Sequence, residues 1–285
     1  MSNSIVSLMK KAIAFLSFLV LPVLFYEQVV FVCAALFQAL ASASHQPFLS
    51  GNLPLLYTST AATVSDLILL PVYFYLKKKS SASEVIDPGA SVHHDPAPEL
   101  SRKAPVFSAR SYIFPALFGA SGAVFFNLLL AFSRLPELFP TVSTLEPAAV
   151  QSNVLLGALV TCLITPLIEE LVFRGYGFFL LRREFGFPGA ALLSAAAFGL
   201  FHGDVSQSLY GFCMGLLLAH TAEQYRSLHA CILFHICANI TSFFLLTDLS
   251  RERLIISMPV LGLSGILCAW SYHKIKEVGK IEKTD

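Results

Sequence analysis

Apolar runs long enough to cross a bilayer recur along almost the whole chain, and few folds accept such a pattern. A helix needs about 20 apolar residues to span a hydrocarbon core of roughly 30 Å. On that measure the 285 residues divide into eight candidate spans at 12–41, 53–76, 112–132, 147–181, 188–201, 206–222, 229–246 and 254–272. The fifth and sixth are short, and either begins earlier or ends in protein-lined space. Helices are the expected element because lipid offers no partner for backbone N–H and C=O groups. Composition agrees: 55% of residues are hydrophobic, 13% are charged and the mean hydropathy is +0.69, outside the usual range of a soluble domain. The expected fold class is an all-α membrane protein, a bundle of about eight transmembrane helices.

Lys and Arg favour the cytoplasmic side. With both termini cytoplasmic, eight spans put every one of the 19 basic residues inside except Arg134, Arg251 and Arg253, which fall outside, and Arg174, which lies within a span. Lys10 and Lys11 precede the first run as they would in a signal peptide. That run far exceeds an apolar signal region of about 7–15 residues, so a retained first helix is expected. The segment 77–110 is rich in Ser, Pro, Ala and charge and lacks apolar periodicity. It is expected to be a mobile cytoplasmic loop between two leading helices (1–76) and a core (111–272), with a cytoplasmic tail at 273–285. His93 and His94 in this loop read as solvated rather than as metal ligands.

The six cysteines, Cys33, Cys162, Cys213, Cys231, Cys237 and Cys268, lie in apolar stretches without CxxC spacing and read as free buried thiols. A net charge of +1 provides no basic face for nucleic acid. No internal repeat supports an inverted-repeat transporter.

The chemistry concentrates in three places. In TPLIEELVFRGYG, Glu169, Glu170 and Arg174 interrupt an apolar run, where ionisable groups are costly and point by default to a site. Glu170 and Arg174 are four apart and can pair on one helical face. Glu169, turned by about 100°, is free for proton chemistry. The bland alternative is a neutral buried network that only fixes helix packing. Further along, FGLFHG carries Phe198 and His202, and HICAN carries His235 and Asn239 on one face. Counted along ideal helices, Glu169 lies roughly 20 Å from Arg182 and His202 roughly 21 Å from Pro188, whereas His235 is only about 9 Å from the start of its span. Convergence of all three therefore requires helix tilt.

Glu27 and Asp66, single acids in spans, read as packing groups, and His220 and Glu223 as interfacial groups near Arg226. Gly211 with Gly215, and Gly199 with Gly203, have the spacing that permits close helix approach.

Glu169-Glu170-x-x-x-Arg174, Phe198-x-x-x-His202 and His235-x-x-x-Asn239, in that order, resemble the three motifs of the CPBP family, which includes type II CAAX prenyl endopeptidases and bacteriocin-processing proteins. The resemblance covers about 147–246 and implies an eight-helix bundle. It further implies an intramembrane glutamic endopeptidase in which Glu169 and His202 activate water, His235 and Asn239 stabilise the oxyanion, and Glu170, Arg174 and Phe198 support them. The implied partners are a membrane-associated peptide or protein and the lipid bilayer, in a bacterial cytoplasmic membrane, with no cofactor. Two histidines and a glutamate also make a catalytic zinc set, although the chain has no HExxH and Asn is a poor zinc ligand. Two further alternatives are a non-catalytic scaffold or bacteriocin-immunity protein of the same family, and a small transporter in which the glutamates relay protons.

Overall fold

A computed structural model of the chain describes residues 107–133, 135–138, 154–202, 205–245 and 254–281, together with 28–43 and scattered positions between 9 and 71. Part of the first expected span, most of the second, most of the 77–110 loop with His93 and His94, and the acids Glu27 and Asp66 lie outside the described residues.

The described residues are helical almost throughout. Helix α1 is Gln28–Ala43. A 3-10 turn at Ala109–Tyr112 leads into α2, Ile113–Ser133, followed by a single turn, α3, at Leu135–Leu138. The next helix is composite. It is α-helical over Val154–Leu159 (α4), π-helical over Val160–Ile164, α-helical over Thr165–Glu170 (α5) and π-helical again over Leu171–Phe178. Then come α6 (Phe179–Leu200), α7 (Val205–Tyr225), α8 (Leu228–Leu245) and α9 (Leu254–Ile281). By length and composition, Ala109–Ser133 and Val154–Gly175 can each cross a membrane, and Gln28–Ala43 and Leu228–Phe244 are shorter apolar helices.

The boundaries follow from local chemistry. Gly186 breaks α6 with φ 70° and ψ 178°, a conformation open essentially to glycine alone. Pro188 then restarts the helix, close to where the fourth and fifth apolar runs divide. Arg226 ends α7 at φ 47°, its N–H donating to the Ala222 carbonyl at 2.8 Å, which turns the chain directly into α8.

Helix α9 continues through the first part of the 273–285 segment, as far as Ile281. Ile275 is fully buried and Val278 packs on the core, so an apolar i,i+3 pair extends the helix past the last hydrophobic run.

Helix α7 packs on α6, while α8 and α9 both pack on α2. Small residues set the approach of α6 and α7. A Cβ on Gly215 would stand 2.9 Å from the Ala195 Cα, and one on Gly211 3.2 Å from the Gly199 Cα, so α6 and α7 touch backbone to backbone. Polarity is distributed as in a protein that faces lipid. Leu155, Leu200, Leu263 and Ile266 are exposed, while Glu170, Arg174 and Thr221 are buried.

Four cysteines, Cys33, Cys162, Cys231 and Cys268, are buried and free; Cys213 and Cys237 are also free but only half-buried. His220 and Glu223 both have partners from other helices. His220 is buried, its ring stacked on Tyr272 at 4.1 Å, and Glu223 takes a bidentate bond from Arg182, at 3.0 Å on each arm, rather than standing beside Arg226 alone.

Candidate active site

Glu170 is fully buried and anchors the site. Its Oε1 accepts from Arg174 Nη1 at 3.1 Å and from His235 Nδ1 at 2.8 Å, tying the composite helix to α8. Arg174 is 1% exposed; its Nη2 donates to the Gly215 carbonyl on α7 at 3.4 Å and its guanidinium lies 4.4 Å over the Phe198 ring on α6. One cation thus binds three helices, with a carboxylate, a carbonyl and an aromatic face as its partners.

Because a carboxylate paired with arginine only accepts, His235 Nδ1 is the donor in its bond to Glu170. That fixes the ring so that Nε2 faces Glu169, 3.5 Å from its Oε2. His235 therefore lies between the two glutamates, and Glu169, unlike its neighbour, is not fully buried: its side chain is 12% exposed.

His202 Nδ1 lies 2.7 Å from the Phe198 carbonyl, which can only accept, so Nδ1 donates in that bond and Nε2 is the ring nitrogen it leaves free of it. Gly211 makes room for this ring, since a Cβ there would stand 3.1 Å from Nδ1. The Phe198 ring also meets His202 at 4.9 Å and His235 at 5.7 Å, so one aromatic side chain spaces both histidines and the arginine.

Asn239 donates through Nδ2 to the Thr161 carbonyl at 2.8 Å. Thr161 lies in the first π-helical stretch, where the i→i+5 pattern disturbs the regular backbone pairing and a side chain can reach a carbonyl. The second hydrogen of that amide is not used by this bond.

Glu169, His202, His235 and Asn239 line one cavity of about 350 Å³. The backbone narrows the depth difference of the ideal-helix count in part. Leu171–Phe178, most of the path from Arg182 to Glu169, is π-helical, and with more residues per turn it rises less per residue. Glu169 is therefore shallower than ideal counting places it, and nearer the level of His235.

The same cavity is lined by Asn127, Tyr210 and Ser242, which sequence reasoning did not single out. The signal that could have found them is a lone polar residue in a strongly apolar helix. Among the described residues, no group of three His, Cys, Asp or Glu side chains is arranged to hold a metal ion.

No curated protein and no solved structure compared with the chain matches it. Residues 151–241, which hold Glu169, Glu170, Arg174, Phe198, His202, His235 and Asn239, match the family model described as Rce1-like, type II CAAX prenyl endopeptidase Rce1-like, and so carry the signature of the CPBP (CAAX protease) family of peptidases.

Proposed function

We propose that the chain is an intramembrane endopeptidase that hydrolyses a peptide bond of a membrane-associated protein or peptide, with glutamate-activated water and no metal. The observation that carries this reading is the meeting of Glu169, His202, His235 and Asn239 around one cavity, backed by the buried Glu170–Arg174 pair. Water held between Glu169 and His202 gives a proton to the Glu169 carboxylate as its oxygen attacks the carbonyl. His202 Nε2 accepts the second hydrogen of that water and orients it. Glu169 then returns the proton to the leaving amine.

The oxyanion is met by the second N–H of Asn239 and by Nε2–H of His235. Donors aligned in this way contribute about 3–4 kcal/mol each to lowering the barrier.

The eight-span arrangement with both termini cytoplasmic, in a bacterial cytoplasmic membrane, belongs to the same proposal. The test is proteolysis by the full chain in membranes. Glu169→Ala and His202→Ala are expected to abolish cleavage while the folded protein stays membrane-bound, and unchanged proteolysis in both variants sinks the reading.

A further inference from the structure

The cavity that Glu169 lines has a second polar cluster. Asn127 on α2, Tyr210 on α7 and Ser242 on α8 come from three helices and meet there: Asn127 Nδ2 donates to Ser242 Oγ at 3.4 Å, and the Tyr210 hydroxyl lies 3.4 Å from the same Oγ and also meets Asn127. All three line the cavity that holds the candidate catalytic residues. The geometry points to this cluster as a substrate-positioning subsite that takes a main-chain amide of the bound peptide. The inference rests on the peptidase reading above.

Three features support the assignment. First, the bonds within the cluster are long compared with the usual 2.7–3.0 Å of well-formed protein hydrogen bonds, so a ligand can replace them at little cost. Asn127 keeps a firm anchor, its Nδ2 donating to the Ala123 carbonyl at 2.9 Å, so the side chain is held in place while its contact with Ser242 is exchangeable. Second, the chemistry is neutral throughout. Two hydroxyls and a carboxamide offer donors and acceptors together, which matches an amide with one of each and has no charge to favour an ion.

Third, the position is right for a neighbour of the scissile bond. His235, Asn239 and Ser242 fall at i, i+4 and i+7 on one face of α8. Ser242 therefore lies about 4.5 Å along the axis from Asn239 and about 10 Å from His235. At about 3.3 Å per residue, an extended peptide held at Ser242 has its reacting carbonyl one to three residues away.

A pure packing clamp between α2, α7 and α8 has the same contacts, and kinetics separate the two. The full chain in lipid nanodiscs is assayed with a library of quenched fluorescent decapeptides carrying uncharged side chains, and KM and kcat are measured on the best-cleaved peptide. Tyr210→Phe and Ser242→Ala, each the loss of one oxygen, are expected to raise KM about tenfold and leave kcat within about twofold, with the thermal midpoint in place. Replacing single amides of that peptide by esters is expected to find one position at which wild type loses the same factor and Tyr210→Phe loses nothing further. Wild-type KM in both variants, or a fall in kcat alone, overturns the subsite and leaves the peptidase reading standing. Wild-type protein that cleaves no peptide, like Glu169→Gln, overturns both.

Discussion

Nε2 of His235 stands 3.5 Å from Oε2 of Glu169, while the other ring nitrogen is held by Glu170 at 2.8 Å. The two adjacent glutamates thus address opposite sides of one imidazole, and they differ in surroundings: one is buried against an arginine, the other borders a cavity. Substitution should separate them. Glu169→Gln keeps the shape of the side chain and removes the base, so turnover is expected to fall by about 10²–10⁴-fold with the unfolding midpoint preserved. Turnover and thermal unfolding measured on one nanodisc preparation check this.

Glu170 and Arg174 should behave in the opposite way. Arg174→Met leaves a fully buried carboxylate without its cation, at a cost of about 3–5 kcal/mol. The double variant Glu170→Leu/Arg174→Met removes both charges and should recover much of that loss without recovering activity. A double-mutant cycle in denaturant measures the coupling, and an additive result would contradict the buried pair.

Gly211 and Gly215 are one turn apart on α7 but serve different neighbours. Gly211→Ala places a methyl group 3.1 Å from His202 Nδ1, so the ring must shift by tenths of an ångström. Activity is expected to drop about tenfold to a hundredfold with a small change in stability. Gly215→Ala presses instead on the Ala195 backbone at 2.9 Å and should cost about 1–3 kcal/mol by forcing α6 and α7 apart. Comparing kcat with melting temperature for the two variants distinguishes them.

Gly186→Ala tests the break in α6. Nothing lies within 4 Å of the added Cβ, so the whole effect comes from forcing an alanine to φ 70°. A loss of about 1–3 kcal/mol is expected, read as a lower unfolding midpoint.

Much of the scaffold was legible because hydrophobic length is a coarse, robust signal. The runs at 206–222 and 229–246 coincide closely with α7, Val205–Tyr225, and α8, Leu228–Leu245. The Glu170–Arg174 pairing followed from four-residue spacing. The π-helical stretches left no such trace, since hydrophobic length reads alike at either helical period. Phe198 was legible only through its motif, with no physical reason attached; its place over the Arg174 guanidinium supplies one. Asn127, Tyr210 and Ser242 stayed hidden because each is a lone polar residue, and their meeting depends on how α2, α7 and α8 pack.

The position of Arg174 bears on how such a chain enters a membrane. The Glu170–Arg174 bond lies within a single stretch, four residues apart, so the two opposite charges can neutralise each other as soon as that stretch turns helical, before any other helix is present. An ion at mid-bilayer costs about 2.5–3.5 kcal/mol on the insertion scale. A segment that brings its own counter-ion faces that penalty once, for Glu169, instead of three times. His235, arriving later on α8, then joins an ion pair already formed, so the order of synthesis matches the order in which the charges can be safely buried.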